Sequence, residues 1–320
     1  MTLAEAVKAR AGELGFLACG ITDPSPVPDG DRLDQWLASG YAGVMRYIHR
    51  QARKRKNPGL IIAGARSVVV VLDNYYDGEA DPGPAPKVAR YARGDDYHRV
   101  TRDRLEPLAD LLRSHGAAIA HTFADSGPVP ERALALRAGL GWIGKNTMLI
   151  RPGTGSFFFI GTLFTDLPLD RDASPATDHC GSCTRCLEAC PTGALVEPRV
   201  LDATRCISYL TIEQKRPIPE PFAARLEGWV FGCDICNEVC PWNLRFAEPS
   251  AAPEFRSRDR LAGAGADHFE RMDDEEFARR FGDSPLERAG LEGMRRNFRA
   301  AFAGAAPGPA ADPLRKPVAT

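Results

Sequence analysis

An α/β domain followed by a cysteine-rich module and a short helical region is the fold this sequence predicts, and three observations predict it. Through about residue 170, stretches with helical spacing of apolar residues alternate with short apolar runs that read as buried strands. Eight of the nine cysteines then fall between Cys180 and Cys240, where regular periodicity fades. Beyond Pro249 the chain turns charged and regains helical spacing.

The first element is announced by Thr2-Leu3-Ala4-Glu5, which has the form of a capping box. A helix to Leu14 is expected, ended by Gly15. Phe16 to Ile21 reads as a short buried strand, and Asp31 to Ser39 and Gly43 to Gln51 carry helical spacing. Ser67 to Leu72, with four successive valines, is the clearest strand and should be covered on both faces. Asp77 to Pro86, rich in Gly, Pro and acid, reads as a surface loop. Asp96 to His115 predicts a long helix with a break near Pro107. Ala117 to Phe123, Thr147 to Ile150 and Phe157 to Phe164 are further strands, with a helix starting near Pro130. Asp273 to Phe281 and Leu286 to Phe302 should be helical, and Ala303 to Thr320, rich in Ala, Pro and Gly, disordered. The expected divisions are therefore 1–170, 171–248, 249–302 and 303–320.

With 320 residues and 44% apolar content, the chain can bury sizeable cores. A net charge of −1 excludes a globally basic nucleic-acid coat but leaves local patches open. No apolar run approaches the roughly 20 residues a membrane helix needs. Met1 to Gly15 reads as an amphipathic helix rather than a signal peptide, so a cytoplasmic location is expected. There a disulfide framework is unfavoured, and clustered thiols point to metal.

The cysteine spacing is specific. Cys180-x2-Cys183-x2-Cys186-x3-Cys190-Pro191 matches the run of bacterial two-cluster ferredoxins, in which the fourth cysteine crosses to the other cluster. A second set comprises Cys206 and Cys233-x2-Cys236-x3-Cys240-Pro241. By the crossing rule, Cys180, Cys183, Cys186 and Cys240 hold one [4Fe–4S] cluster, and Cys190, Cys206, Cys233 and Cys236 the other. Paired structural zinc sites are the competing reading, since four thiolates per site also suit zinc. Cys19, within a strand, reads as a core residue. Clusters carry electrons without transforming substrates, so the long N-terminal domain implies a second cofactor or a substrate.

Three segments carry a family resemblance. They are Tyr91-Ala92-Arg93-Gly94-Asp95-Asp96-Tyr97-His98, the stretch from Asp125-Ser126-Gly127-Pro128 to Gly144-Lys145-Asn146-Thr147, and Phe231 to Asn243 around Cys233, Cys236 and Cys240. Together they closely resemble the epoxyqueuosine reductases. The resemblance implies an N-terminal cobalamin-binding domain related to flavin-using reductases. It also implies a ferredoxin-like domain with two [4Fe–4S] clusters and a short remnant of a HEAT-like helical module. The implied activity is reduction of epoxyqueuosine to queuosine at the tRNA wobble position, electrons passing from the clusters to cobalamin. Asp125 matches the family's catalytic acid. The resemblance places the cofactor near Arg53, Arg93, Tyr97, Asp125, Gly144, Lys145, Asn146, Thr147, Ser208 and Asp234. Arg93 stands where some relatives have cysteine, and Asn237 where glutamine is common.

Chemistry supports a role for Asp125 independently. An epoxide oxygen gains negative charge as it leaves, so a proton donor must be in reach. A carboxyl group serves near neutral pH only if burial raises its pKa, and Asp125 falls at a strand end, where α/β folds commonly bind ligands. The bland reading is that it organises a turn.

Between Gln35 and Leu72 there is no acidic residue, yet Arg50, Arg53, Lys54, Arg55 and Lys56 occur, among others. With Lys215 and Arg216, and with Arg295 and Arg296, they form a candidate tRNA surface; a solvated helix face is the alternative. A flavodoxin or ferredoxin would serve as electron donor, and a monomer is expected. Two rival functions are a reductive dehalogenase-like enzyme for a small molecule and an iron–sulfur electron-transfer protein without its own substrate.

Overall fold

The computed structural model describes residues 1–28, 30–79, 86–173, 177–258 and 265–302. Part of the expected Asp77–Pro86 loop and the whole expected disordered tail lie outside the described residues.

The capping box forms as predicted, the Thr2 and Glu5 side chains each accepting the other's backbone N–H. It opens α1 (Leu3–Glu13), and the chain turns into β1 (Ala18–Thr22) through Gly15 at φ +82°, a conformation that favours glycine. Two helices follow, α2 (Gly30–Ala38) and α3 (Arg46–Lys56). The α3 helix starts later than its spacing suggested, because Gly43 takes a left-handed turn with Val44 N–H donating to the Tyr209 hydroxyl. The valine run becomes β2 (Ser67–Asn74), and a short β3 (Lys87–Val88) follows.

Next comes α4 (Tyr97–Ser114), which runs unbroken through Pro107. Leu105, Leu108, Ala109 and Leu112 are fully buried against the sheet, and that packing outweighs the one backbone hydrogen bond the proline removes. The domain is completed by β4 (Ala120–Ala124), α5 (Glu131–Arg137), the hairpin β5 (Trp142–Ile143) and β6 (Leu149–Ile150), and β7 (Phe158–Thr165).

The main sheet has the order β1-β2-β7-β4, and every neighbouring pair is antiparallel. The alternation of helices and strands suggested an α/β fold; the antiparallel sheet makes the domain α+β. Its valine strand is nonetheless covered on both faces. Val69 and Val71 pack with α1 and α4, whereas Val68, Val70 and Leu72 pack with α5. Burial on two faces erases the alternation that marks most antiparallel strands, so the run looks parallel in sequence.

In the cysteine-rich part, α6 (Arg185–Glu188), β8 (Leu195–Glu197), β9 (Val200–Leu201), α7 (Ile207–Ile212) and α8 (Glu220–Ala223) lead to β10 (Trp229–Phe231). That strand pairs in parallel with β3, so a piece of the N-terminal half is built into this module. After it come α9 (Ile235–Glu238) and α10 (Pro241–Phe246), then α11 (Ala266–Arg271), α12 (Asp274–Phe281) and α13 (Gly290–Phe302). Among the described residues no helix is long and apolar enough to cross a membrane.

One buried charge pins α4 to the sheet. Asp73, on β2, is 1% exposed, accepts from Thr101 at 2.9 Å and pairs with Arg104, which also donates to the Leu14 carbonyl. Burial pushes the Asp73 carboxyl up to about 6 despite that partner. Arg104→Met should therefore lower unfolding stability by about 3–5 kcal/mol at pH 8. Below pH 6 the deficit should shrink, because a protonated Asp73 no longer needs the cation; unfolding measured at both pH values checks this.

Candidate cluster sites and catalytic cleft

The eight clustered cysteines gather into two groups of four. Cys180 and Cys183 lie on the loop before α6, Cys186 within it, and Cys240 at the start of α10. All four line one cavity of about 230 Å³, closed by Lys145, Asn146, His179 and Trp242. Burial pushes the Cys186 thiol up to about 11, aided by Cys180, Cys240 and Cys183. In the second group, burial raises the Cys236 thiol well above its usual range, followed by the charges of Cys206, Asp234 and Cys190. Cys233 is raised in the same way, with Cys236 and Cys206 as neighbours. Cys186 also acts on Cys236, so the groups adjoin.

Backbone N–H groups aim at these sulfurs. Ser208 and Tyr209 donate to Cys206, Ile235 to Cys233, Trp242 and Asn243 to Cys240, and Ala194 to Cys190 at 3.3 Å. Such donors suit thiolates, which buried thiols become only beside a cation. A cubane holds its four cysteines around a cavity, as the first group surrounds one here. The buried Trp142 Nε1 has no protein partner and packs with Cys180, Cys240 and Trp242. The donor set fits iron–sulfur clusters.

The segment after β5, expected against the cofactor, faces the cysteine module. Lys145 Nζ donates to the Gly181 carbonyl at 2.6 Å and the Cys183 carbonyl at 2.9 Å. Asn146 Nδ2 donates to Asn237 Oδ1 at 3.2 Å, and Thr147 accepts from Arg132. Gly141 is required by the hairpin itself, since a Cβ there would run into the Ile150 carbonyl; Gly144 packs on the Ile150 side chain. Arg93 is likewise engaged, donating to Val88 O at 3.0 Å and to Asp77 at 3.0 Å. Asp77 also pairs with Arg90 in a buried network. Asp234, between Cys233 and Cys236, accepts the Arg90 N–H at 2.7 Å, and burial pushes its carboxyl up to about 6.

Asp125 follows β4 with φ +50°, a left-handed conformation costing roughly 1–3 kcal/mol in a non-glycine residue. Two interactions offset it. Its N–H donates to Glu131 Oε1 at 2.7 Å, and its Oδ2 accepts from the Tyr97 hydroxyl at 2.6 Å. Tyr97 is itself stacked on Phe159, with ring centres 4.1 Å apart. The Asp125 side chain is 60% exposed, so the fold does not supply the burial expected of it. Burial acts on Glu131 instead, raising its carboxyl with help from the Asp125 charge. The Asp125 charge also acts on Tyr47 of α3, on Tyr91 and on Arg288 of the C-terminal part, so these groups lie within its electrostatic reach. Sequence reading gave Tyr47, Glu131 and Arg288 no role at the site, although each lay within a segment already singled out.

The basic residues divide. Arg50, Arg53 and Lys54 are exposed on α3. Arg55 turns toward the Asp125 loop, reaching Gly127 O at 3.5 Å, with its Nε buried and unpartnered. Lys56 pairs with Asp34 at 2.6 Å. Lys215 and Arg216 are exposed, the former bonded to the Arg288 carbonyl. Arg295 and Arg296 do not extend this surface, because both guanidiniums donate inward to backbone carbonyls.

Two family models match: a 4Fe-4S double cluster binding domain over residues 179–243, and Epoxyqueuosine reductase QueG, DUF1730, over residues 55–126. The epoxyqueuosine reductase of Cellulophaga algicola is 41% identical over 294 residues, covering 91% of this chain and 95% of that protein. Two solved structures each cover 94% of this chain and 81% of theirs at 32% identity. One is an epoxyqueuosine reductase with an epoxyqueuosine-modified tRNA-Tyr stem loop, TM-score 0.84. The other is the Bacillus subtilis enzyme with its catalytic aspartate loop swung out of the active site, TM-score 0.83.

Lys145 is the cation tying the first cysteine loop to the N-terminal domain. Anaerobic reconstitution should load the wild type with about eight irons. Lys145→Met should load equally but lose about half its iron, on the order of four atoms, to a chelator that spares the wild type. Iron assays before and after the chelator check both numbers.

Proposed function

The chain belongs to the epoxyqueuosine reductase family, an oxidoreductase family, and on that premise we propose that it reduces epoxyqueuosine to queuosine at the tRNA wobble position with Asp125 as the proton donor. Two [4Fe–4S] clusters belong to the protein. We assign one to Cys180, Cys183, Cys186 and Cys240 and the other to Cys190, Cys206, Cys233 and Cys236.

Cobalamin, when bound in the cleft, supplies the low-valent metal reductant for the epoxide carbon. Tyr97 and Asp125 would face it. The unpartnered Arg55 Nε in the same wall is a polar atom suited to an anionic part of cofactor or substrate. Lys145, Asn146 and Asp234 are engaged within the protein, and their contribution is to fix the clusters against the N-terminal domain.

One observation carries the reading: Asp125 presents an exposed carboxyl into the cleft while Tyr97 and Glu131 hold its position. Tyr97 orients the carboxyl, and Glu131 fixes the strained backbone beneath it. A tRNA loop and a corrinoid covering Asp125 would remove it from water and raise its pKa, as a general acid near neutral pH requires. The modified base must leave its stack to reach the cleft, which agrees with recognition of a single-stranded loop.

Anaerobic, reduced holoenzyme should convert epoxyqueuosine in a tRNA stem loop to queuosine by nucleoside analysis. Asp125→Asn should keep its iron and corrinoid spectrum while turnover falls by roughly 10²–10⁴-fold. Turnover near the wild-type value would remove Asp125 from the acid role.

The exposed face of α3 supports phosphate binding. Reversing Arg50, Arg53 and Lys54 to Glu should weaken tRNA binding and flatten its salt dependence by about 0.7–0.9 for each phosphate that is no longer neutralised. Titrations at several salt concentrations measure both; an unchanged slope would move the tRNA surface elsewhere.

A further inference from the structure

Turning an epoxide into an alkene releases its oxygen as water, which takes two electrons and two protons. The first proton makes the opened oxygen a hydroxyl, and the second lets that hydroxyl leave as water. One carboxyl holds one proton. Asp125 is therefore a carboxylate when the second is due, under a tRNA loop that restricts solvent.

His98 stands beside it. Its Nδ1 is 2.7 Å from Asp96 Oδ1, and its Nε2 is 3.8 Å from Asp125 Oδ2. The ring stacks on Tyr97 at 4.1 Å, and 29% of the side chain is exposed. Asp96 is fixed as the N-cap of α4, accepting the His98 N–H at 3.1 Å and donating its own N–H to the Asp283 carbonyl. With Asp96 accepting the Nδ1 proton, Nε2 is the nitrogen left to exchange a proton with Asp125.

Charged and titratable groups lie around the ring. They are Asp96 and Arg99 on its own helix, Asp125 with Glu131 behind it, and Asp95 and Asp283 with Arg258 from the C-terminal side. Acids outnumber bases there. Tyr97 does not compete as a proton source, because burial, and then the Asp125 charge, hold its phenol far above the usual range. Glu131 faces the Asp125 peptide N–H and not its carboxyl.

We propose that His98, held by Asp96, returns a proton to Asp125 within each turnover, so that one acid serves both protonations. This rests on the function proposed above. The proton leaves His98 Nε2 for Asp125 Oδ2, and solvent at the exposed ring edge restores it; no electron moves in the step.

Four proteins test it as reduced holoenzymes acting on epoxyqueuosine-bearing stem loop: wild type, His98→Gln, His98→Ala and Asp96→Asn. His98→Gln should keep iron, corrinoid spectrum and tRNA affinity, while kcat falls about 10²-fold at pH 8. The deficit should narrow as pH falls, because hydronium then recharges Asp125 directly. Added imidazole should restore His98→Ala at least about tenfold without acting on Asp125→Asn. Asp96→Asn should show a smaller loss with the same pH trend. An active wild type alongside a His98→Gln of unchanged kcat and pH profile overturns this inference alone, as does a loss that imidazole leaves unrelieved. A wild type that forms no queuosine overturns the proposed function, and this inference with it.

Discussion

The structure depends on a buried hydrogen-bond seam between the N-terminal domain and the cysteine module. Asn146, Ser156, Asn237 and Asn243 are each at most 5% exposed. Asn146 donates to Asn237, the Ser156 N–H donates to Asn243 Oδ1 at 2.6 Å, and Asn243 Nδ2 donates to the Asn237 carbonyl at 2.8 Å. Buried amides must find partners, and four that satisfy one another specify a single docking geometry. Asn237 follows Cys236, and Asn146 follows the lysine that holds the first cysteine loop. The seam therefore sets where both cysteine groups stand relative to the domain that carries Asp125. It also gives Asn237 a docking role, through its bonds to Asn146 and Asn243.

Much of this was legible before the fold was known, for identifiable reasons. Capping at Thr2 and the valine run are local signals, and local chemistry decides them. The two cysteine groups were legible because ligand spacing is a geometric constraint written along the chain. Other features were not. Apolar periodicity reports burial but not the direction of a partner strand, so the antiparallel sheet was hidden. A long cation announces its charge and not its aim. Arg55 turns toward the Asp125 loop, Lys145 clamps carbonyls, and Arg296 serves the end of α7, although each reads as a generic base. Nothing near Tyr47 or Arg288 in sequence points to Asp125, because their proximity arises only when distant elements pack.

The cleft separates two tasks that sequence reading had assigned to one residue. A general acid must be positioned, and its pKa must be raised. Glu131 and Tyr97 hold Asp125, the proposed acid, in place at the cost of one left-handed backbone conformation. The Asp125 carboxyl is exposed, whereas burial raises the carboxyl of Glu131 behind it.

The C-terminal helices do more than extend a binding surface. Phe269, Phe281 and Phe298, from α11, α12 and α13, are fully buried in one core with Val230 and Phe231 of β10 and Val88 of β3. Strand β10 leads within two residues to Cys233, and Asn297 Nδ2 donates to the Val230 carbonyl at 2.8 Å. From the same region Arg296 donates to the carbonyl of Leu210 on α7, whose first turn directs N–H groups at Cys206. Two of the four cysteines in the second group thus rest on scaffolding supplied by residues 265–302. Arg288, from that stretch, also feels the charge of Asp125. Losing these helices would therefore remove support from the second cysteine group. The short helical region is part of the electron-carrying core.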